Sequence, residues 1–121
     1  GRAQAFAVGR GVSADRRTAT LVSERCVRME PAMSSGRHYV ELHMVEQGPN
    51  DKLVGVVQEG AAAGYPGENA GSWGWESDGY LLAEGNTITT SGPRFRAGSR
   101  VGLLLDFGAG RLTLVLDGAV T

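Results

Sequence analysis

The strongest fold signal in the sequence is the stretch RVGLLLDFGAGRLTLVLDG, which spans Arg100–Gly118. Its second half, Arg111–Leu116, alternates leucines with Thr113 and Val115, and this period of two is typical of a strand with one buried face. Its first half, Arg100–Phe107, carries leucines on both faces, which predicts a strand in the middle of a sheet. Glycines separate the halves, so the stretch predicts a hairpin of two antiparallel strands.

A second turn closes this stretch. Asp117-Gly118 directly follows the second strand, and this dipeptide favours a type I′ hairpin turn. A hairpin requires a returning strand, yet only Ala119, Val120 and Thr121 follow. The sequence therefore predicts either that the fold continues beyond this chain or that the edge at 117–121 is completed by a strand of another chain.

The remainder of the chain repeats the same pattern of short strands separated by Gly, Pro, Asn and Asp. Helical patterns are weak by comparison, and Pro31 interrupts the one that precedes it. The 121 residues fit one domain, and 19 glycines point to many tight turns. We therefore predict an all-β sandwich or barrel. The further predicted strands are Thr18–Val22, Cys26–Met29, His38–Val45, Leu53–Val57, Ser72–Glu76, Tyr80–Leu82 and Thr87–Thr90.

Composition excludes several classes of partner. The net charge of −1 and the pI of about 6.1 remove the electrostatic attraction that non-specific binding to nucleic acid or to an anionic membrane needs. No apolar stretch approaches the roughly 20 residues of a membrane span, and the N-terminus has no secretory pattern. Cys26 is the only cysteine, which excludes a disulfide framework within the chain, and we expect it to be buried. We expect an intracellular protein of the cytoplasm.

Residues that could support catalysis are few. His38 and His43 are five apart in a predicted strand, so they lie on opposite faces and cannot share a metal ion. Asp78, Asp106 and Asp117 lie at predicted turns, where Asp commonly accepts hydrogen bonds from the backbone. Hydrolase, metalloprotease and phosphate-binding motifs are absent from the sequence. We therefore expect neither an enzyme nor a bound cofactor or metal.

Trp73-Gly74-Trp75 is the most distinctive local feature. In a strand both indoles project from the same face, and Gly74 lets another backbone approach closely. One interpretation is an aromatic platform for a carbohydrate, assisted by Asn69 and Asp78; the other is that the rings fill the layer between two sheets. The small number of aromatic residues favours the structural role for at least one of the two tryptophans.

Several ordered blocks of this sequence resemble the SPRY (B30.2) domain family. The resemblance covers about residues 18–118, and the block Gly71–Trp75 is most similar to the branch that recruits substrates to SOCS-box or F-box ubiquitin ligases. Val40 stands where the family usually has Trp, and the family's final strands have no counterpart before Thr121. The matching blocks are Ser35–Glu41, Val54–Val56, Gly71–Trp75, Ala97–Asp106, Gly110–Leu114 and Asp117-Gly118.

The resemblance implies a bent, concanavalin-like antiparallel β-sandwich, a single domain over residues 1–121, that acts as a non-catalytic protein-interaction module. It would bind a short segment of a partner protein through the loops Gln47–Lys52 and Gly60–Ser72 at one end of the sandwich. Tyr65 stands where that branch has a ligand-contacting tyrosine. The two other functions we consider are a carbohydrate-binding sandwich and a structural module of a larger assembly. The expected partner-binding residues are Tyr65, Pro66, Glu68, Asn69, Gln47, Asn50, Asp51 and Lys52.

Overall fold

The structure, a computed structural model, describes residues 5–7, 11–21, 26–45, 51–60 and 64–121. The chain divides into two compact units, Gly1–Ser34 and Ser35–Thr121. In the first unit, strand β1 (Ala5–Phe6) pairs antiparallel with β2 (Met29–Glu30).

Two strands predicted in the first unit are wrong. Between residues 18 and 21 only Ala19 forms a bridge, to Val12, and the strand predicted from Cys26 begins instead at Met29. The hydroxyl of Ser13 accepts a hydrogen bond from Thr18 N at 3.1 Å, and the Asp15 carboxylate accepts one from Arg17 N at 3.1 Å. Such local bonds compete with a strand ladder and turn this segment back on itself. Val22 lies outside the described residues.

Cys26 is exposed, contrary to the expectation that it is buried. The strand that would have enclosed it does not form around it, so the thiol has no sheet face to pack against.

The second unit contains eight strands in its described residues: β3 Arg37–His43, β4 Leu53–Val57, β5 Ser72–Glu76, β6 Leu81–Ala83, β7 Asn86–Thr89, β8 Arg100–Asp106, β9 Arg111–Leu116 and β10 Ala119–Val120. They form two four-stranded antiparallel sheets. One has the order β10-β9-β8-β3, with β8 in its interior as predicted. The other has the order β4-β5-β6-β7, a meander in which each strand pairs with the next.

The core lies between these sheets. Trp75 of β5 is 1% exposed, its Nε1 donates to Pro93 O at 2.8 Å, and its ring meets Phe95 edge-on with centroids 5.1 Å apart. Val101 and Leu103 of β8 belong to the same buried cluster, so both sheets contribute to one core. This confirms the all-β sandwich.

Burial of Trp75 contradicts its use as a carbohydrate platform. Trp73 shares the inner face of β5 with Trp75, because the two are separated by one residue in a strand. Asn69 precedes β5 and Asp78 follows it, so the two polar residues of that hypothesis lie beyond opposite ends of the strand.

The predicted turns are confirmed. Asp117 and Gly118 have φ values of 51° and 85°, the left-handed conformations that a type I′ turn needs, and β10 returns to pair with β9. The Asp117 carboxylate accepts a hydrogen bond from Arg100 N at 2.8 Å. Asp106 accepts one from Ala109 N at 3.1 Å and Asp78 one from Tyr80 N at 3.2 Å, so all three turn aspartates bond the backbone.

Candidate partner-binding surface

The two loops expected to bind a partner flank the same strand. Asp51 and Lys52 come directly before β4, and the segment 58–71 follows it. Loops on either side of one strand leave from opposite ends of that strand, here roughly 14 Å apart. The expectation that both loops lie at one end therefore does not follow from this topology. Gln47 and Asn50 lie outside the described residues.

Residues Tyr65–Asn69, which we call the Tyr65 turn, form a compact unit. Glu68 N donates to Tyr65 O at 3.0 Å, and Tyr65 N donates to the Glu68 carboxylate, also at 3.0 Å. The two residues thus close the turn reciprocally. The Tyr65 side chain is 37% exposed, and Glu68 is exposed as well.

Ser72, the first residue of β5, hydrogen-bonds to the backbone of the Tyr65 turn. Its buried hydroxyl donates to Asn69 O at 2.7 Å and accepts from Gly67 N at 2.9 Å. The β6–β7 hairpin adds a further bond, from Gly85 N to Gly67 O at 2.8 Å. The turn is therefore tied to two parts of the sheet and presents Tyr65 from a defined backbone.

A pair of glycines lets the Tyr65 turn lie on the sheet. Gly55 of β4 and Gly74 of β5 are direct partners across the ladder. A Cβ at Gly55 would overlap the Trp73 carbonyl oxygen and would also come 2.7 Å from the Cβ of Pro66. A Cβ at Gly74 would overlap the Pro66 carbonyl oxygen. Pro66 thus occupies the space that two side chains would fill on the outer face. The prediction that Gly74 admits another backbone is confirmed.

Sequence reasoning missed several residues that position this turn. Ser72 was named only as the end of the loop Gly60–Ser72 and the start of a strand, and Gly55 only as a strand residue. Glu84, whose carboxylate accepts from Gly71 N at 3.2 Å, was not considered. One usable signal was present: a glycine at the centre of each of two successive predicted strands indicates a close approach from outside the sheet.

Asp51 and Lys52 bond to the turn that follows β5. Lys52 N donates to the Ser77 hydroxyl at 3.0 Å, and that hydroxyl donates to the Asp51 carboxylate at 2.9 Å. One oxygen each of Asp51, Glu76 and Asp78 lies within 4.8 Å of the others. Burial raises the pKa of Glu76, and the charges of Asp78 and Asp51 raise it further. These three could surround a cation, but surface carboxylates commonly cluster without one, and we assign no metal site.

The histidines have structural partners. His38 Nε2 lies 2.6 Å from Ser35 O, and its ring meets Phe107 edge-on. His43 and Glu41 share the other face of β3, and His43 Nε2 lies 3.3 Å from a carboxylate oxygen of Glu41. This agrees with the prediction that the two imidazoles cannot share a metal.

A comparison with protein families gives the class of this protein. The family model for the SPRY domain matches residues 37–120, more than half of the chain. The chain therefore belongs to the SPRY domain family, whose members are generally protein-interaction modules rather than catalysts. No curated protein shows a significant match to it. In the described ranges there is no helix of the length and apolar character that crossing a membrane requires.

Proposed function

We propose that this SPRY domain binds a short, extended segment of a partner protein through the Tyr65 turn. The observation that carries the proposal is an exposed tyrosine on a backbone already held by Ser72 and by the Gly55–Gly74 pair. An aromatic side chain on a preorganised backbone loses little conformational freedom when it binds, so more of its contact energy contributes to affinity.

The remaining expected residues fit a segment that lies along β4. Pro66 lies over the middle of β4, and Asp51 and Lys52 lie at its start. A strand of five residues is spanned by an extended peptide of about the same length. In this proposal Tyr65 contacts one end of the segment, and Asp51 and Lys52 contact the other. Gln47 and Asn50, which lie outside the described residues, stay predicted contacts.

A substrate-adaptor role inside the cell is the finer form of this proposal. Its support is the resemblance of the block Gly71–Trp75 to the SPRY branch that serves ubiquitin ligases. In that role the domain recognises a substrate, and a separate protein of the ligase carries out the catalysis.

Selection of a displayed peptide library on the purified chain, followed by titration of the consensus peptide, tests the proposal. Tyr65→Ala should weaken binding by about 2 kcal/mol, the loss typical of a central aromatic contact, with little change in the free energy of unfolding. Tyr39→Ala is the matched control, because Tyr39 is 48% exposed but lies on the other sheet. Equal affinity of Tyr65→Ala and wild type would contradict the site. The absence of any enriched peptide from folded protein would contradict the function.

A further inference from the structure

Charge is unevenly distributed between the two sheets of the SPRY unit. The sequence has eleven arginines, and none lies between Arg37 and Arg94. Residues 51–90, which include all of β4–β7, carry six acidic residues and a single cation, Lys52. Three of the five arginines of the second unit, Arg37, Arg100 and Arg111, lie in strands of the other sheet, and Arg94 and Arg96 lie in the segment that joins β7 to β8. No arginine lies in β4–β7, which is therefore the more acidic sheet of this unit.

The Tyr65 turn carries one of these acidic groups at its surface. One carboxylate oxygen of Glu68 is held 3.0 Å from Tyr65 N, which fixes the charge next to the exposed tyrosine. A carboxylate has about four lone-pair positions, and this bond uses one of them. A carboxylate beside an aromatic ring is suited to the guanidinium of arginine or the ammonium of lysine.

Other acidic groups add to the negative electrostatic potential along the β4–β7 sheet. Glu84 bonds the backbone of Gly71 at the base of the turn, and Glu59 is exposed at the start of the loop. Glu76 lies at the opposite end of β5, beside two aspartates. A cationic segment along β4 is attracted over its whole length, whereas an anionic one is repelled.

We infer that the segment bound at the Tyr65 turn is basic, with an arginine or lysine beside the residue that contacts Tyr65 and with Glu68 as its counter-charge. The inference rests on the proposed function and names the chemical class of its ligand. The negative charge of the β4–β7 sheet favours a basic segment over an acidic one.

The experiment uses a random peptide library on the purified chain, and then two synthetic peptides: the consensus, and the consensus with its cation replaced by glutamine. Each is titrated against wild type, Glu68→Gln and Glu59→Gln. Glutamine at 68 retains an acceptor for Tyr65 N, so the turn is preserved while its charge is lost. Glu59→Gln removes the same charge from the same loop, outside the turn.

We expect arginine or lysine at a constant position of the consensus, and an affinity about tenfold lower for Glu68→Gln, as for loss of a charge-assisted hydrogen bond. Glu59→Gln should change affinity less than about twofold, because an exposed charge outside the contact acts only through screened, longer-range attraction. The glutamine-substituted peptide should bind wild type and Glu68→Gln equally, since the pair is already broken in both.

Different failures have different meanings. A neutral or acidic consensus that still requires Tyr65 would overturn this inference and leave the proposed function intact. Equal losses in Glu68→Gln and Glu59→Gln would also overturn it, since only the general field would then act. A basic consensus that binds Tyr65→Ala as tightly as wild type would overturn the proposed site itself.

Discussion

Among single residues, carboxylates of this SPRY domain have two contrasting environments. Asp106 and Asp117 lie at turns, where each accepts a hydrogen bond from a backbone N–H group. Glu76 is half-buried beside Asp78 and Asp51, so burial and like charge both disfavour its charged form and raise its pKa. An acid whose pKa is raised by folding binds its proton more tightly in the folded state than in the unfolded state.

Because folding raises the pKa of Glu76, the free energy of unfolding depends on pH. The stability associated with Glu76 is fully present below the ordinary pKa of 4.5 and is lost as pH rises through the higher pKa of the folded state. The variant Glu76→Gln has no carboxyl group to titrate at this position, so it does not lose this stability as pH rises. We expect the variant to unfold at higher urea concentration than wild type near pH 7, and the difference to vanish as pH falls toward 4.5. Glu59→Gln controls for the change in net charge. A difference that is independent of pH would contradict the prediction.

Between elements, the important contact joins the β4–β5 pair to the Tyr65 turn. Backbone hydrogen bonds hold the two strands in register, with Gly55 opposite Gly74. The turn then lies where neither strand has a side chain, and Pro66 fills the space. The turn therefore depends on the glycine pair for its position, and the position of Tyr65 depends on the turn.

Gly74→Ala tests this dependence. The added methyl group would overlap the Pro66 carbonyl oxygen, which is backbone and cannot rotate away. We expect a loss of about 1–3 kcal/mol in the free energy of unfolding, as for overpacking elsewhere, together with weaker binding of any peptide that requires Tyr65. Urea unfolding followed by tryptophan fluorescence gives the first quantity.

Gly108→Ala is the control for this substitution. A methyl group at Gly108 would meet only the Asp106 carboxylate, at 3.5 Å, which is ordinary van der Waals contact. We expect a change of less than about 0.5 kcal/mol. Equal effects of the two substitutions would show that general glycine-to-alanine effects, rather than the contact with Pro66, determine the result.

In the molecule as a whole, the buried core belongs to one of the two units. Every described apolar residue that is buried lies within Ser35–Thr121, and so does the SPRY match at 37–120. The charge separation between the two sheets lies within this unit as well.

We predict that a fragment of residues 35–121 folds without the preceding residues. It should unfold in one cooperative transition, with the fluorescence of a buried Trp75 in its native state. Urea unfolding of the fragment and of the full chain, compared under the same conditions, measures this. A fragment that fails to fold would show that residues 1–34 are required, as the interpretation of residues 1–121 as a single domain implies.

The parts of the fold that were predicted correctly are local. The β8–β9 hairpin was predicted from alternating leucines and a glycine-rich turn, and Asp117-Gly118 from the conformations that a type I′ turn demands. These signals lie within a few residues of the structure they describe. The prediction of a strand at 18–21 is wrong because backbone N–H groups of this segment and of Arg17 donate hydrogen bonds to the side chains of Ser13 and Asp15, which periodicity does not report.

The all-β class, the SPRY resemblance, the main strands and the choice of Tyr65 as the residue to test all follow from the sequence alone. The burial of Trp75, the position of the Tyr65 turn over Gly55 and Gly74, and the bonds of Asp51 and Lys52 to the turn after β5 are known only from the folded chain. Strand periodicity and turn conformation depend on neighbours along the chain, whereas burial, close approach and the summed field of separated charges depend on which strands pair.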